Sequence, residues 1–131
     1  MKRHIVIFSF LLLIASMIFS FASCSKVEVA EGEIIAVFRY GDTDITQILS
    51  DEDSVAVRSI FEGKTMVSDS PSCGFSENVS LVIGGDTYCI AYDNCGIIYH
   101  VKEDKYFHLS DRENEALREL LGECGFSFPC V

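Results

Sequence analysis

The chain has 131 residues, with 20 Asp and Glu against 10 Lys and Arg, a formal net charge of −10 and six cysteines. That length is enough for one core and too short for two. The acidic balance speaks against a phosphate-binding face, which needs clustered Lys and Arg, so nucleic acid is not an expected partner.

Lys2 and Arg3 precede an apolar run from Ile5 to Phe21, which closes on the small residues Ala22 and Ser23 and then Cys24. A basic start, a bilayer-partitioning centre and a small-residue cleavage region predict a secretory signal peptide over residues 1–23. Phe21-Ala22-Ser23-Cys24 resembles the lipobox of bacterial lipoproteins, with Phe21 standing where an aliphatic residue is usual. The resemblance implies that Cys24 is lipidated and becomes the first mature residue. Acyl burial at about 0.8 kcal/mol per CH₂ then makes release from the bilayer negligible. It also implies that Ser25, as second mature residue, directs the chain to an outer membrane where one exists, and to the cell membrane where none does. Two rival readings stay open: a cut after Ala22 or Ser23 that frees a secreted domain, and an uncleaved anchor over Ile5 to Phe21. All three put the domain outside the cytoplasm and satisfy the positive-inside bias. Residues 24–32 read as lipid attachment and a short tether, and 33–131 as a single domain.

Loss of residues 1–23 removes Lys2 and Arg3 and no acidic residue, moving the formal charge from −10 to −12. Such a surface keeps a domain soluble, repels anionic headgroups and favours basic partners.

Glu33 to Arg39 is β-branched and aromatic enough for a strand; Gly41-Asp42 marks a turn and Ile45 to Leu49 a second strand. Ser50 and Asp53 make a capping-box-like start for a helix reaching about Glu62, ended by Gly63. Asp69 to Asn78 is rich in Ser, Pro and Gly and reads as a loop. Four short strands follow, centred on Ser80 to Ile83, Thr87 to Tyr92, Ile97 to Val101 and Tyr106 to Leu109. Turn signals at Gly84-Gly85-Asp86, Asp93-Asn94 and Glu103-Asp104 separate them. Ser110 and Glu113 form a second capping box, opening a helix that ends near Gly122 to Gly125.

The two halves resemble each other at a constant offset of sixty, Leu49 to Arg58 aligning with Leu109 to Arg118. The apolar stripes coincide too: Val57, Ile60 and Phe61 match Leu117, Leu120 and Leu121. The expected fold is therefore α+β: an antiparallel sheet of five to six strands with two helices on one face, built from two ββα pseudo-repeats.

Five cysteines remain after Cys24, an odd number in a compartment where disulfides persist. Cys124 continues the helical stripe at i+7 and reads as a buried free thiol. Cys73, Cys89, Cys95 and Cys130 are then the disulfide candidates, with three pairings open and a Cys124 to Cys130 bridge as the competing choice.

The sequence carries no catalytic constellation that can be named. Cys89 and Cys95 lack the C-x-x-C spacing and helix N-terminus of a thiol oxidoreductase. His100 and His108 fall on separate strands without zinc-ligand spacing. Asp42-Thr-Asp44 and Asp51-Glu-Asp53 do not continue as calcium loops, and Gly84-Gly85-Asp86 joins two strands with no P-loop Lys. No catalytic residue, metal ligand or cofactor is assigned. The expectation is a non-catalytic binding domain on a membrane lipid anchor, with an envelope protein as partner. An envelope-assembly lipoprotein and a small enzyme or thiol-redox protein are the alternatives. The sheet face opposite the helices is the candidate contact surface, with Tyr88, Tyr92, Tyr99 and His100 as its exposed residues.

Overall fold

The computed structural model describes residues 24–128. Its order is β1 (Ile34–Tyr40), β2 (Thr43–Ile48), α1 (Asp51–Phe61), β3 (Val79–Ile83), β4 (Asp86–Ile90), β5 (Ile97–His100), β6 (Lys105–His108) and α2 (Asp111–Glu123). The six strands form one antiparallel sheet in the order β2-β1-β3-β4-β5-β6. This is the α+β architecture expected, and the turn signals fall between the strands they were taken to separate, except that Asp86 is already the first residue of β4.

One sheet face is apolar because alternate residues point the same way. Ile34, Ala36 and Phe38 of β1, Val79, Leu81 and Ile83 of β3, Tyr88 and Ile90 of β4, Ile98 of β5 and Phe107 of β6 are all buried in a single cluster. Both helices cover that face. From α1, Phe61 packs at 5.5 Å from Tyr88 and 5.2 Å from Phe107, ring centre to ring centre. Val57 of α1 and Leu117 and Leu121 of α2 are fully buried in the same cluster.

Each helix begins on its expected cap. The Asp53 amide donates to Ser50 Oγ at 3.1 Å, and Ser110 and Glu113 form a full reciprocal box. Such a box satisfies two amides that a helix start otherwise leaves unpaired. Glu113 also takes Lys64 Nζ at 2.6 Å on each carboxylate oxygen, tying α2 to the turn after α1.

The two ββα units make matching hydrogen bonds from donors sixty residues apart. Leu49 donates its amide to Ile34 O, and Leu109 donates to Gly96 O. The Arg58 guanidinium binds the carbonyls of Ala30 and Gly32, just before β1. Its counterpart Arg118 binds those of Ala91 and Asp93, in the β4-β5 turn. The β3-β4 hairpin sits between the two units, and β2 and β6 lie at opposite edges.

The segment read as a tether is folded into the body. Val27 is 1% exposed, and its amide donates to Lys64 O while its carbonyl accepts from Gly63. Lys105 Nζ holds Ser25 Oγ at 2.8 Å, and the Val29 amide donates to the Glu62 carboxylate. Gly84 has φ 57° and stands so close to Ala30 that a Cβ there would run into it. The domain therefore starts at Ser25, not at Glu33. The expected signal peptide, residues 1–23, lies outside the described residues.

Hydrogen bonds from Lys64 and Ser110 hold the Glu113 carboxyl below its usual range. Because the folded state then binds its proton less readily than the unfolded chain, this stabilisation is complete above about pH 4.3 and disappears as pH falls through the lowered folded value. Glu113→Gln is expected to lower stability by about 1 kcal/mol at neutral pH and to flatten the acid limb of a melting-temperature profile. An unchanged acid limb would remove Glu113 from the account.

Candidate functional site

The face opposite the helices is set by the same alternation. One row across the sheet runs Thr46, Val37, Ser80, Cys89, Tyr99 and Tyr106, each paired with the next through the ladders. Beside it lie Ile48, Ile35, Val82 and Thr87. The β2 end of this face is bare: Ile48 is 57% exposed, and Ile35 and Val37 are half-buried.

The β6 end is roofed by the Ser-, Pro- and Gly-rich loop. Phe75 lies 5.8 Å from the Tyr99 ring and 5.5 Å from that of Tyr106, and Tyr99 and Tyr106 stack at 4.8 Å. Val67 exchanges two backbone hydrogen bonds with Tyr106, closing the β6 edge. Phe75, Ser76, Glu77, Cys89, Tyr99 and Val101 enclose a dent of about 220 Å³. A side-chain hydrogen bond to Asp104 keeps the Tyr99 hydroxyl protonated beyond its ordinary range.

Of the four residues expected on this surface, only Tyr99 is there. Tyr88 is 1% and His100 6% exposed, and both point into the core beneath the helices. Their rings stack at 4.4 Å with 8° between planes. Burial pushes the Tyr88 hydroxyl up to about 12 and the His100 imidazole down. Tyr92 is half-buried at the sheet end, against Tyr40, and donates its amide to Gly74 O. Sequence reasoning missed Phe75, Tyr106, Ile35 and Ile48; the loop aromatic Phe75 was the one signal it had for a roof.

Cys73 and Cys95 stand at disulfide distance, which fastens the roofing loop to the β4-β5 turn. A disulfide belongs to an oxidising, extracytoplasmic compartment. Cys89, expected in a bridge, is instead a buried free thiol under Phe75 and Glu77, and burial pushes it up to about 11. Among the described residues the cysteine pair at disulfide distance is Cys73 with Cys95, which leaves Cys89 free. Cys124 is free and half-buried at the C-cap of α2, and Cys130 lies outside the described residues. Cys24 is exposed at the head of the docked segment.

No protein-family model, curated protein or solved structure matches this chain. Function must therefore be argued from its own residues. A larger concavity beside α2 includes Asn114, Arg118 and Phe128. Its cation is already committed: Arg118 holds the carbonyls of Ala91 and Asp93 and lies 4.2 Å over the Phe128 ring.

The roof and its tie lead to a direct expectation. Cys73→Ser with Cys95→Ser should lower stability by about 2 to 4 kcal/mol and expose Cys89 to alkylation under native conditions, where the parent protein protects it. Equal alkylation rates in both proteins would show that the loop does not depend on the disulfide.

Proposed function

We propose that the protein is a membrane-anchored extracytoplasmic lipoprotein whose domain binds an envelope protein through the open face of its sheet. The observation that carries this reading is the junction at Cys24: an exposed cysteine, one residue ahead of a segment locked to the fold, in a chain with a disulfide. A lipid on that sulfur would hold the domain against the bilayer with almost no slack. Among the described residues no helix is long and apolar enough to cross a membrane.

Support for binding comes from the bare end of the outer face. Ile48, Ile35, Val37 and Val82 are apolar side chains in adjoining positions that neither a helix nor the roofing loop encloses. Exposed apolar groups in one patch mark contact surfaces more often than scattered ones do. The acidic chain around them favours a partner with basic residues at the rim of the contact.

Two measurements test the two halves of this reading. The intact mass of protein extracted from its membrane should show an N-terminus at Cys24 carrying acyl chains, and Cys24→Ser should release the protein from the membrane fraction. Ile48→Asp, at an exposed position, should leave the melting temperature within a few degrees and abolish retention of the envelope partner. An unacylated mature chain would overturn the anchor, and undiminished retention by Ile48→Asp would overturn the surface.

A further inference from the structure

The two edges of the sheet are not treated alike. At one edge β6 has four residues, and Val67 closes it with two backbone hydrogen bonds. At the other, β2 runs six residues, and all but Ile45 are exposed. It pairs with β1 residue for residue from Tyr40↔Thr43 to Ile35↔Ile48, with no bulge to twist it away. It carries neither Pro nor Lys, the residues that commonly protect an edge.

Parity decides what this edge presents. The Leu49 amide donates to Ile34 O, towards β1. In an antiparallel ladder the N–H and C=O of one residue point the same way and successive residues alternate, so Gln47, Ile45 and Thr43 also face β1. Asp44, Thr46 and Ile48 therefore turn their amides and carbonyls outward, where they have no backbone partner among the described residues.

The side chains flanking this edge differ by face. On the outer face Ile48 is 57% exposed and continues into Ile35, Val37 and Val82. On the helix side Gln47 hydrogen-bonds the Cys124 sulfur, and the Asp53 and Glu123 carboxylates stand near enough to act on that thiol. Asp42 and Asp44 lie at the hairpin end, and Asp51 and Glu52 follow where the strand leads into α1. Arg39, opposite Asp44 on β1, is already paired with it at 3.2 Å.

We propose that the partner adds an extended segment to β2 as a seventh, antiparallel strand, with apolar side chains on the outer face and Lys or Arg on the helix side. The proposal rests on the binding reading of the outer face and states how the partner is held. Main-chain hydrogen bonds to Asp44, Thr46 and Ile48 supply the affinity, and the alternation of apolar and basic residues supplies the selectivity. Charge speaks against a second copy of this chain, because joining β2 to β2 brings the same carboxylates together between two chains of net charge −10.

The test uses the full protein purified from its membrane and, as probe, an acetylated and amidated octapeptide alternating Lys and Val. The peptide should slow hydrogen exchange of the Asp44, Thr46 and Ile48 amides tenfold or more, and the effect should fade as salt rises. An octapeptide alternating Glu and Val should bind at least tenfold more weakly, and so should the Lys-Val peptide N-methylated along its hydrogen-bonding edge. Thr46→Pro removes an outward N–H at the kind of position where edge strands accept Pro. It should abolish peptide binding, while Thr46→Val keeps it within twofold. If Thr46→Pro fails to fold, the N-methylated peptide makes the same distinction. No protection by the Lys-Val peptide, equal binding of the Glu-Val peptide, or undiminished binding of the N-methylated one would each overturn the proposal. Protection of these amides that rises with protein concentration alone would also overturn it, by giving the edge to a second copy. Loss of partner retention in Ile48→Asp alongside any such failure would leave the outer face standing and remove only the strand addition.

Discussion

The packing of Phe61 against Tyr88 and Phe107 is the contact on which the rest of the molecule depends. It seats α1 on the middle and far strands at once, joining the first ββα unit to the second across the central hairpin. Once Tyr88 and Phe107 face inward, strand alternation leaves no freedom to their neighbours. Cys89 and Tyr106 must face outward, and through the ladders so must Ser80 and Tyr99. The inner face thus becomes the core, and the outer face is left to a loop at one end and to solvent at the other. A fold with both helices on one side can offer an open sheet surface without any residue being placed there for that purpose.

The same logic governs the two arginine clamps. A helix that ends on a sheet must also control the chain entering that sheet, and a guanidinium with five donors can hold two carbonyls while its stem packs against the helix. Arg58 fixes the approach to β1 and Arg118 the approach to β5, from equivalent helical positions. On the β1 side the clamped segment is the one that follows Cys24. Anchor position, strap and helix are therefore parts of one mechanical unit, not a domain trailing on a linker.

Much of this was legible in the chain. Capping residues and apolar stripes located both helices because those signals are local, and glycine turns located the hairpins for the same reason. Strand parity was not legible. Tyr88 and His100 are amphipathic side chains that suit a surface or a satisfied core equally, and a one-residue change of register exchanges the two faces. The expected surface therefore joined Tyr99 to His100, neighbours on β5 that point to opposite faces, and left out Tyr106 and Ile48. Cys89 was taken as a bridging cysteine because Cys124 was set aside as the odd one, and the structure leaves Cys89 free as well. The strap had a faint signal in the alternation of Val27, Glu28 and Val29, too short to outweigh the expectation of a tether after a cleavage site.

Charge gives the arrangement its final constraint. The cavity beneath the strap gathers Glu28, Asp86 and Glu103 close to Ser25, which puts negative charge at the part of the domain nearest the proposed anchor. An anionic leaflet repels such a surface over about a Debye length, roughly 8 Å at physiological ionic strength. Three lysines offset part of this: Lys26 in the cavity wall, Lys102 paired with Asp86 and Lys105 holding Ser25.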